Sequence, residues 1–152
     1  MKVKFIDKYN ALVGAMVAIL TALFGTYWYV FAGYLFCNIL DYATGYAKAR
    51  KNHTESSSIG IIGIVKKVGY WLIVTVSFLI PNMFINLGKD MFGINLSFLE
   101  LLGWFTLATL LINEIRSILE NLVEYGCNVP GFLIKGLAVT EKLISAGADK
   151  TE

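Results

Sequence analysis

From Tyr9 to Leu40 the chain carries no charged residue, and aromatic residues crowd the middle of that stretch. Counted inclusively (40 − 9 + 1), the run is 32 residues long. As one helix at ~1.5 Å per residue it would extend roughly 48 Å, against a hydrocarbon core of about 30 Å. Tyr27, Trp28, Tyr29, Phe31 and Tyr34 fall where a second water interface would lie if the run were folded in two. Trp and Tyr favour headgroup depth because their rings are apolar while their N–H or O–H groups still seek water. The pattern predicts a tight transmembrane hairpin, with Gly25 and Gly33 flanking the bend. One long tilted helix is the alternative.

Composition agrees with a membrane setting. The chain is 57% hydrophobic and 16% charged, with a mean hydropathy of +0.64. Ordinary soluble domains run at about 45–50% apolar and about 25% charged residues. An all-α integral membrane protein is therefore expected. Met1 to Lys8 is basic, but the apolar stretch behind it is too long for a cleaved signal and lacks a convincing processing site, so the segment is expected to be retained.

Charge distribution says more than the net charge of +2. Lys2, Lys4 and Lys8 precede the first span; Lys48, Arg50, Lys51, Lys66 and Lys67 fill the central polar segment; Arg116, Lys135, Lys142 and Lys150 follow the last span. Only Lys89, beside Asp90, lies elsewhere. Cytoplasmic loops accumulate Lys and Arg. Four spans with both termini inside place all the basic residues but Lys89 on the cytoplasmic face of a cytoplasmic membrane. Three spans, the alternative, strand either the N-terminal lysines or the C-terminal group outside.

The expected spans are Ala11–Tyr29, Val30–Ala47, Val68–Leu87 and Leu96–Ile115. A polar segment, Lys48–Ser58, separates the second from the third, and Ser57 or Ser58 is suited to cap the following helix. Pro81, with Asn82 and Asn86, predicts a kink or a weakened final turn in the third span. Gly88–Gly93 reads as a short outer turn. Helical periodicity then continues from Glu114 to Tyr125, with Arg116–Glu120 as an i,i+4 pair, until Gly126 and Pro130 end it. Phe132–Ile144 is apolar enough to lie on the membrane surface or on its neighbours. The tail, Ser145–Glu152, is expected to be loose. The division is thus a transmembrane helical domain, 1–116, and a cytoplasmic or membrane-surface helical region, 117–152.

Small residues recur in the first span at steps of four and three: Ala11, Ala15, Ala18, Ala22 and Gly25. Such spacing lets helix backbones approach closely, which matters in lipid because no hydrophobic drive brings spans together. Gly33, Cys37, Asp41 and Gly45 continue the theme in the second span, and Thr106, Thr109, Asn113 and Arg116 form a polar stripe in the fourth. Packing within a compact helical unit and packing between subunits both fit these stripes. Asp41 is the costliest residue if placed in hydrocarbon, at about 2.5–3.5 kcal/mol for a central ionised Asp. Pairing with Lys48 or Arg116, or bonding to nearby backbone, would settle it; a proton- or ion-sensing role is the sharper alternative.

The inventory for an enzyme is poor. His53, the sole histidine, stands in a polar loop, and no Ser or Cys nucleophile sits beside a base. No phosphate-cradling glycine loop is present. Cys37 and Cys127 show neither metal-ligand spacing nor a common environment, so no metal site, cofactor or disulfide is expected. Asn52-His53-Thr54 matches a glycosylation sequon by chance in a loop expected to be cytoplasmic. The basic residues suit anionic lipid better than nucleic acid.

Three stretches together carry a resemblance. Asp41-Tyr42-Ala43-Thr44-Gly45 follows an apolar span; Ser58 and Gly60 precede Gly63-Ile64-Val65-Lys66-Lys67; and Asn113-Glu114-Ile115-Arg116-Ser117-Ile118-Leu119-Glu120-Asn121-Leu122 leads to Gly126 and Pro130. From Tyr34 to Leu143 this order resembles the toxin-secretion/phage-lysis holin family. In that family the middle apolar span often ends with an Asp, where this chain has Ile80-Pro81-Asn82. The resemblance implies a homo-oligomer in the bilayer that opens large holes at a set time and releases an endolysin or a toxin, with an antiholin or other regulatory protein as partner. It singles out Asp41, Tyr42, Thr44, Gly45, Gly63, Lys66, Lys67, Asn113, Glu114, Ser117, Glu120 and Asn121 as family-motif positions. Two other classes stay open on the residues alone. A small-ion channel or transporter subunit would use Asp41 and the Thr106–Asn113 stripe as a path, and a membrane scaffold would recruit a soluble partner through its C-terminal helices.

Overall fold

The computed structural model describes residues 2–148, with side-chain surroundings for residues 6–147. Five helices follow one another: α1 (Lys2–Phe24), α2 (Trp28–Lys51), α3 (Ser57–Phe92), α4 (Glu100–Tyr125) and α5 (Gly131–Ala148). Short 3-10 turns at Gly25–Tyr27 and Ser97–Leu99 precede α2 and α4, and no strand occurs among the described residues. Three apolar helical runs are long enough to cross a membrane: Ile6–Lys51, Ser57–Phe92 and Ser97–Tyr125. The protein is an all-α membrane protein.

α2, α3 and α4 form the bundle, each antiparallel to the next. The apolar centre is aromatic. Phe24 stacks on Phe31 with ring centroids 4.3 Å apart, Phe78 meets Phe24 edge-on at 5.1 Å, and Trp104 meets Phe78 edge-on at 5.0 Å. Tyr34, Val74 and Leu107 complete this buried cluster. Gly103 makes the α3–α4 approach feasible, since a Cβ built there would come within 2.7 Å of the Phe78 ring. Most large apolar residues lie outside the core: Leu12, Ile39, Leu72, Met83 and Phe98 are all more than half exposed. A chain in water would hide such residues, whereas lipid solvates them.

The tight hairpin predicted for Tyr9–Leu40 is not formed. α1 and α2 meet only around their junction, where Gly25 takes φ +64° and bends the run. Phe24 is buried there and Asn82 donates to the Leu23 carbonyl at 3.4 Å, but Leu12, Met16 and Ile19 stay exposed. The first two expected spans therefore join in one bent apolar run, and three runs suited to membrane spans are present where four spans were expected. The Ile6–Lys51 run is 46 residues, roughly 69 Å if straight, more than twice the hydrocarbon thickness. The glycine bend lets α1 leave the bundle at the level of Tyr27 and Trp104, whose rings meet edge-on at 5.8 Å. The expectation of a cytoplasmic N-terminus rested on the hairpin and loses that support.

Other boundaries shift for local reasons. α3 begins at Ser57, well before Val68, so Ser57 and Ser58 lie inside the helix and Ser56 stands at the N-cap without a side-chain capping bond. It continues through Pro81 to Phe92, because Gly93 at φ +63° supplies the left-handed residue that closes it. The expected turn at Gly88–Gly93 is thus mostly the last turn of α3. Gly88 is buried against Leu96, where a Cβ would sit 2.8 Å from Leu96 Cδ1. Helix α5 extends through Ser145 into the stretch expected to be loose; residues 149–152 of that stretch lie outside the described residues.

Candidate functional site

At the basic end of the bundle, charged groups from three helices converge. Lys67 of α3 places its ammonium 2.9 Å from Asp41 Oδ2 of α2 and in contact with Glu114 Oε2 of α4. The other Asp41 oxygen accepts a 3.1 Å hydrogen bond from Asn121 Nδ2, which also approaches Thr44 Oγ1 at 3.4 Å. Thr44 in turn bonds to the Leu40 and Asp41 carbonyls. Glu114 and Asn121 are buried, at 7% and 6% exposure. Gly45 leaves room for Asn121, since a Cβ there would lie 3.4 Å from Asn121 Nδ2.

The helices bring these residues together through simple geometry. Antiparallel helices of equal rise pair residues that lie equally far from the turn between them. Asp41 and Lys67 are equidistant from Thr54 in the α2–α3 loop; Lys67 and Glu114 are equidistant from the Asp90–Met91 bond near the end of α3. Asn38 and Trp71 follow the same rule to within one residue, one turn deeper, where Trp71 Nε1 donates to Asn38 Oδ1 at 3.3 Å and Asn38 Nδ2 donates to the Tyr34 carbonyl at 2.7 Å. The buried Tyr34 hydroxyl has no hydrogen-bond partner among the described residues. Toward the helix ends the contacts become exposed: Lys48 pairs with Glu124 at 3.4 Å, and Lys51 bonds to the Tyr125 carbonyl while lying 5.0 Å above its ring.

This corrects the expected pairing of Asp41. Neither Lys48 nor Arg116 reaches it. Both point along other faces, Lys48 to Glu124 and Arg116 to Glu141 of α5 rather than to Glu120. Glu114, a family-motif position near the end of the fourth expected span, is buried and central. The missed signal was positional, because only the pairing of helix levels identifies Lys67 as its counter-ion.

The motif positions divide cleanly in space. Asp41, Thr44, Gly45, Lys67, Glu114 and Asn121 form a polar knot in which Glu114 and Asn121 are buried and the others partly buried. Tyr42 is half exposed with its hydroxyl toward Gly60, Gly63 meets nothing, and Lys66 and Glu120 are exposed. Ser117 is half-buried on α4, and Asn113 lines a cleft against α5. The small-residue stripe is bare: Ala11, Ala15, Ala18, Ala22, Gly25 and Gly33 are all exposed, and a Cβ on Gly25 or Gly33 would touch nothing. Packing within the chain does not use it.

Chemically the knot is a clamp. A partly buried ammonium held by two carboxylates, one of them bonded in turn to a carboxamide, has no leaving-group path and no nucleophile beside it. Among the described residues, no group of three or more His, Cys, Asp or Glu side chains is arranged to hold a metal ion. Breaking one member of such a buried set typically costs about 3–5 kcal/mol, because the remaining charge is left without a partner.

Comparison with known proteins gives this geometry a context. The sequence model of the bacteriophage holin family matches residues 18–142, which include every residue of the knot. An uncharacterized protein of Halalkalibacterium halodurans is 27% identical over 101 residues, covering 66% of this chain and 70% of that protein. No solved structure matches.

Proposed function

Because the chain belongs to the bacteriophage holin family, a family of membrane proteins without enzymatic activity, we propose that it oligomerises in the cytoplasmic membrane and opens lesions that release an endolysin, or a toxin, at a timed moment. The observation that carries this reading is the extent of the family match, which takes in α2, α3 and α4 whole and most of α5. The structure is compatible with it: a narrow buried core, an exterior open to lipid, and an α1 whose small-residue face is free for a second copy. In this reading 1–116 forms the membrane part, and within the C-terminal region, 117–152, α5 folds back against it along α4. The bundle end carrying Lys48, Lys51, Lys66 and Lys67 faces the cytoplasm, following the bias of basic residues.

Expression of the chain alone should halt growth abruptly, and co-expressed endolysin should then lyse the cells. The decisive measurement is passage of a folded reporter enzyme across the membrane at the moment of arrest. Leakage of ions without any leakage of the enzyme would replace this reading by a small-ion channel.

A further inference from the structure

α4 has two unlike faces. One carries Gly103, Leu107, Glu114 and Asn121 into the bundle; the other carries Thr106, Thr109, Asn113, Arg116 and Glu120 away from it. Helix α5 runs back antiparallel along this outer side, held by the Arg116–Glu141 ion pair and by Gly147 at the Phe105 ring, where a Cβ would come within 3.1 Å. Between the two helices lies an open furrow lined by Thr109, Asn113, Glu141 and Ser145 above a floor of Ile112 and Ile144. Thr109, Asn113 and Ser145 are exposed in it.

On the opposite side of the bundle, α3 at the same level presents Leu72, Ile73 and Val76, all about half exposed or more. Apolar side chains there suit lipid. Polar and charged side chains at membrane depth face protein or water instead, and among the described residues nothing else covers the furrow. A protein interior would also leave Glu141 and Arg116 less exposed than their side chains are, at 43% and 40%.

We infer that the α4–α5 furrow is the wall each copy turns toward water in the lesion, while the α3 side stays in lipid. This deepens the proposed function and rests on it. Repetition of the furrow around a ring of copies supplies a hydrophilic lining without any change within the protomer, and the Arg116–Glu141 pair keeps α5 in place as half of that lining.

The test uses the full chain in vesicles that hold a labelled dextran, in a background with Cys37→Ser and Cys127→Ser. Single cysteines replace Asn113, Ser145 or, as the lipid-side reference, Leu72, and a charged membrane-impermeant maleimide is added inside and out. The expected result is at least about tenfold more labelling at Asn113→Cys and Ser145→Cys than at Leu72→Cys once dextran escapes. Asn113→Leu should slow escape about 2- to 5-fold at equal protein abundance, because the lining loses a water-facing group. Escape of dextran with the furrow no better labelled than Leu72→Cys would overturn the inference alone and make the furrow a contact between copies. A background chain that releases no dextran would overturn the proposed function, and the lining with it.

Discussion

In α1 and the turn that ends it, residues spaced by four and three are alanines and a glycine, and all of them are exposed. In α2, a similar spacing carries Asp41 and Gly45, which meet Lys67 and Asn121 across two helix interfaces. Both segments are helical, apolar and rich in small residues, yet only one is built into the fold. The difference is the polar partner. In lipid, apolar area gives helices no reason to associate, so close approach holds only where packing or hydrogen bonding adds to it. α2 has a carboxylate that must find an ammonium; α1 has no such requirement after Lys8.

The sharpest way to break this contrast is Lys67→Met. It strands Asp41 and Glu114 beside one another, and the expected loss is about 3–5 kcal/mol. Read as denaturant unfolding in detergent and as membrane abundance, the loss should be far larger than for Asp41→Asn, which still accepts the bond from Asn121. Equal stability of Lys67→Met and the parent would mean that the knot holds nothing together.

Gly103→Leu comes next. It forces side-chain volume into the Phe78 ring, and overpacking of this kind costs about 1–3 kcal/mol. The same assay should show the loss, with the aromatic near-UV signal changing because Phe24, Phe78 and Trp104 share the site. An unchanged signal would show that α3 and α4 do not approach at Gly103.

The smallest expected effect is in α1. Ala18→Leu should alter stability by no more than about 0.5 kcal/mol, as an exposed substitution does. Its effect should appear instead as fewer crosslinked oligomers and a delayed onset of lysis, and Gly33→Leu should behave alike. Normal oligomers with normal timing would assign both faces to lipid and leave α1 without a role in assembly.

Much of this division was legible in the sequence. Hydropathy marked the apolar runs, Asp41 announced itself by cost, and the motif strings held most of the knot before any helix was placed. The partner of Asp41 was not legible, because Lys48 and Arg116 are as plausible by charge as Lys67 until helix levels are paired. The burial of Glu114 was not legible for a related reason: a carboxylate near a span end looks solvated unless the helix facing it carries a lysine at the same height. The hairpin failed on tertiary grounds. An apolar run of double length is compatible with either a turn or a departure, and Gly25 permits both. What decided it was that α1 offers α2 no group that gains by being met.

The knot also sets an order of events during synthesis. Asp41 and Lys67 are both present once α3 has left the ribosome, and together they make a formally neutral pair on a two-helix unit. That unit can rest in the bilayer without a bare charge while translation continues. Glu114 and Asn121 arrive later, on α4, and add one formal negative charge along with the carboxamide that bonds to Asp41. The earlier helices thus carry a matched charge pair before the last partner comes, but they pack mainly through α4, so the site is complete only once α4 arrives.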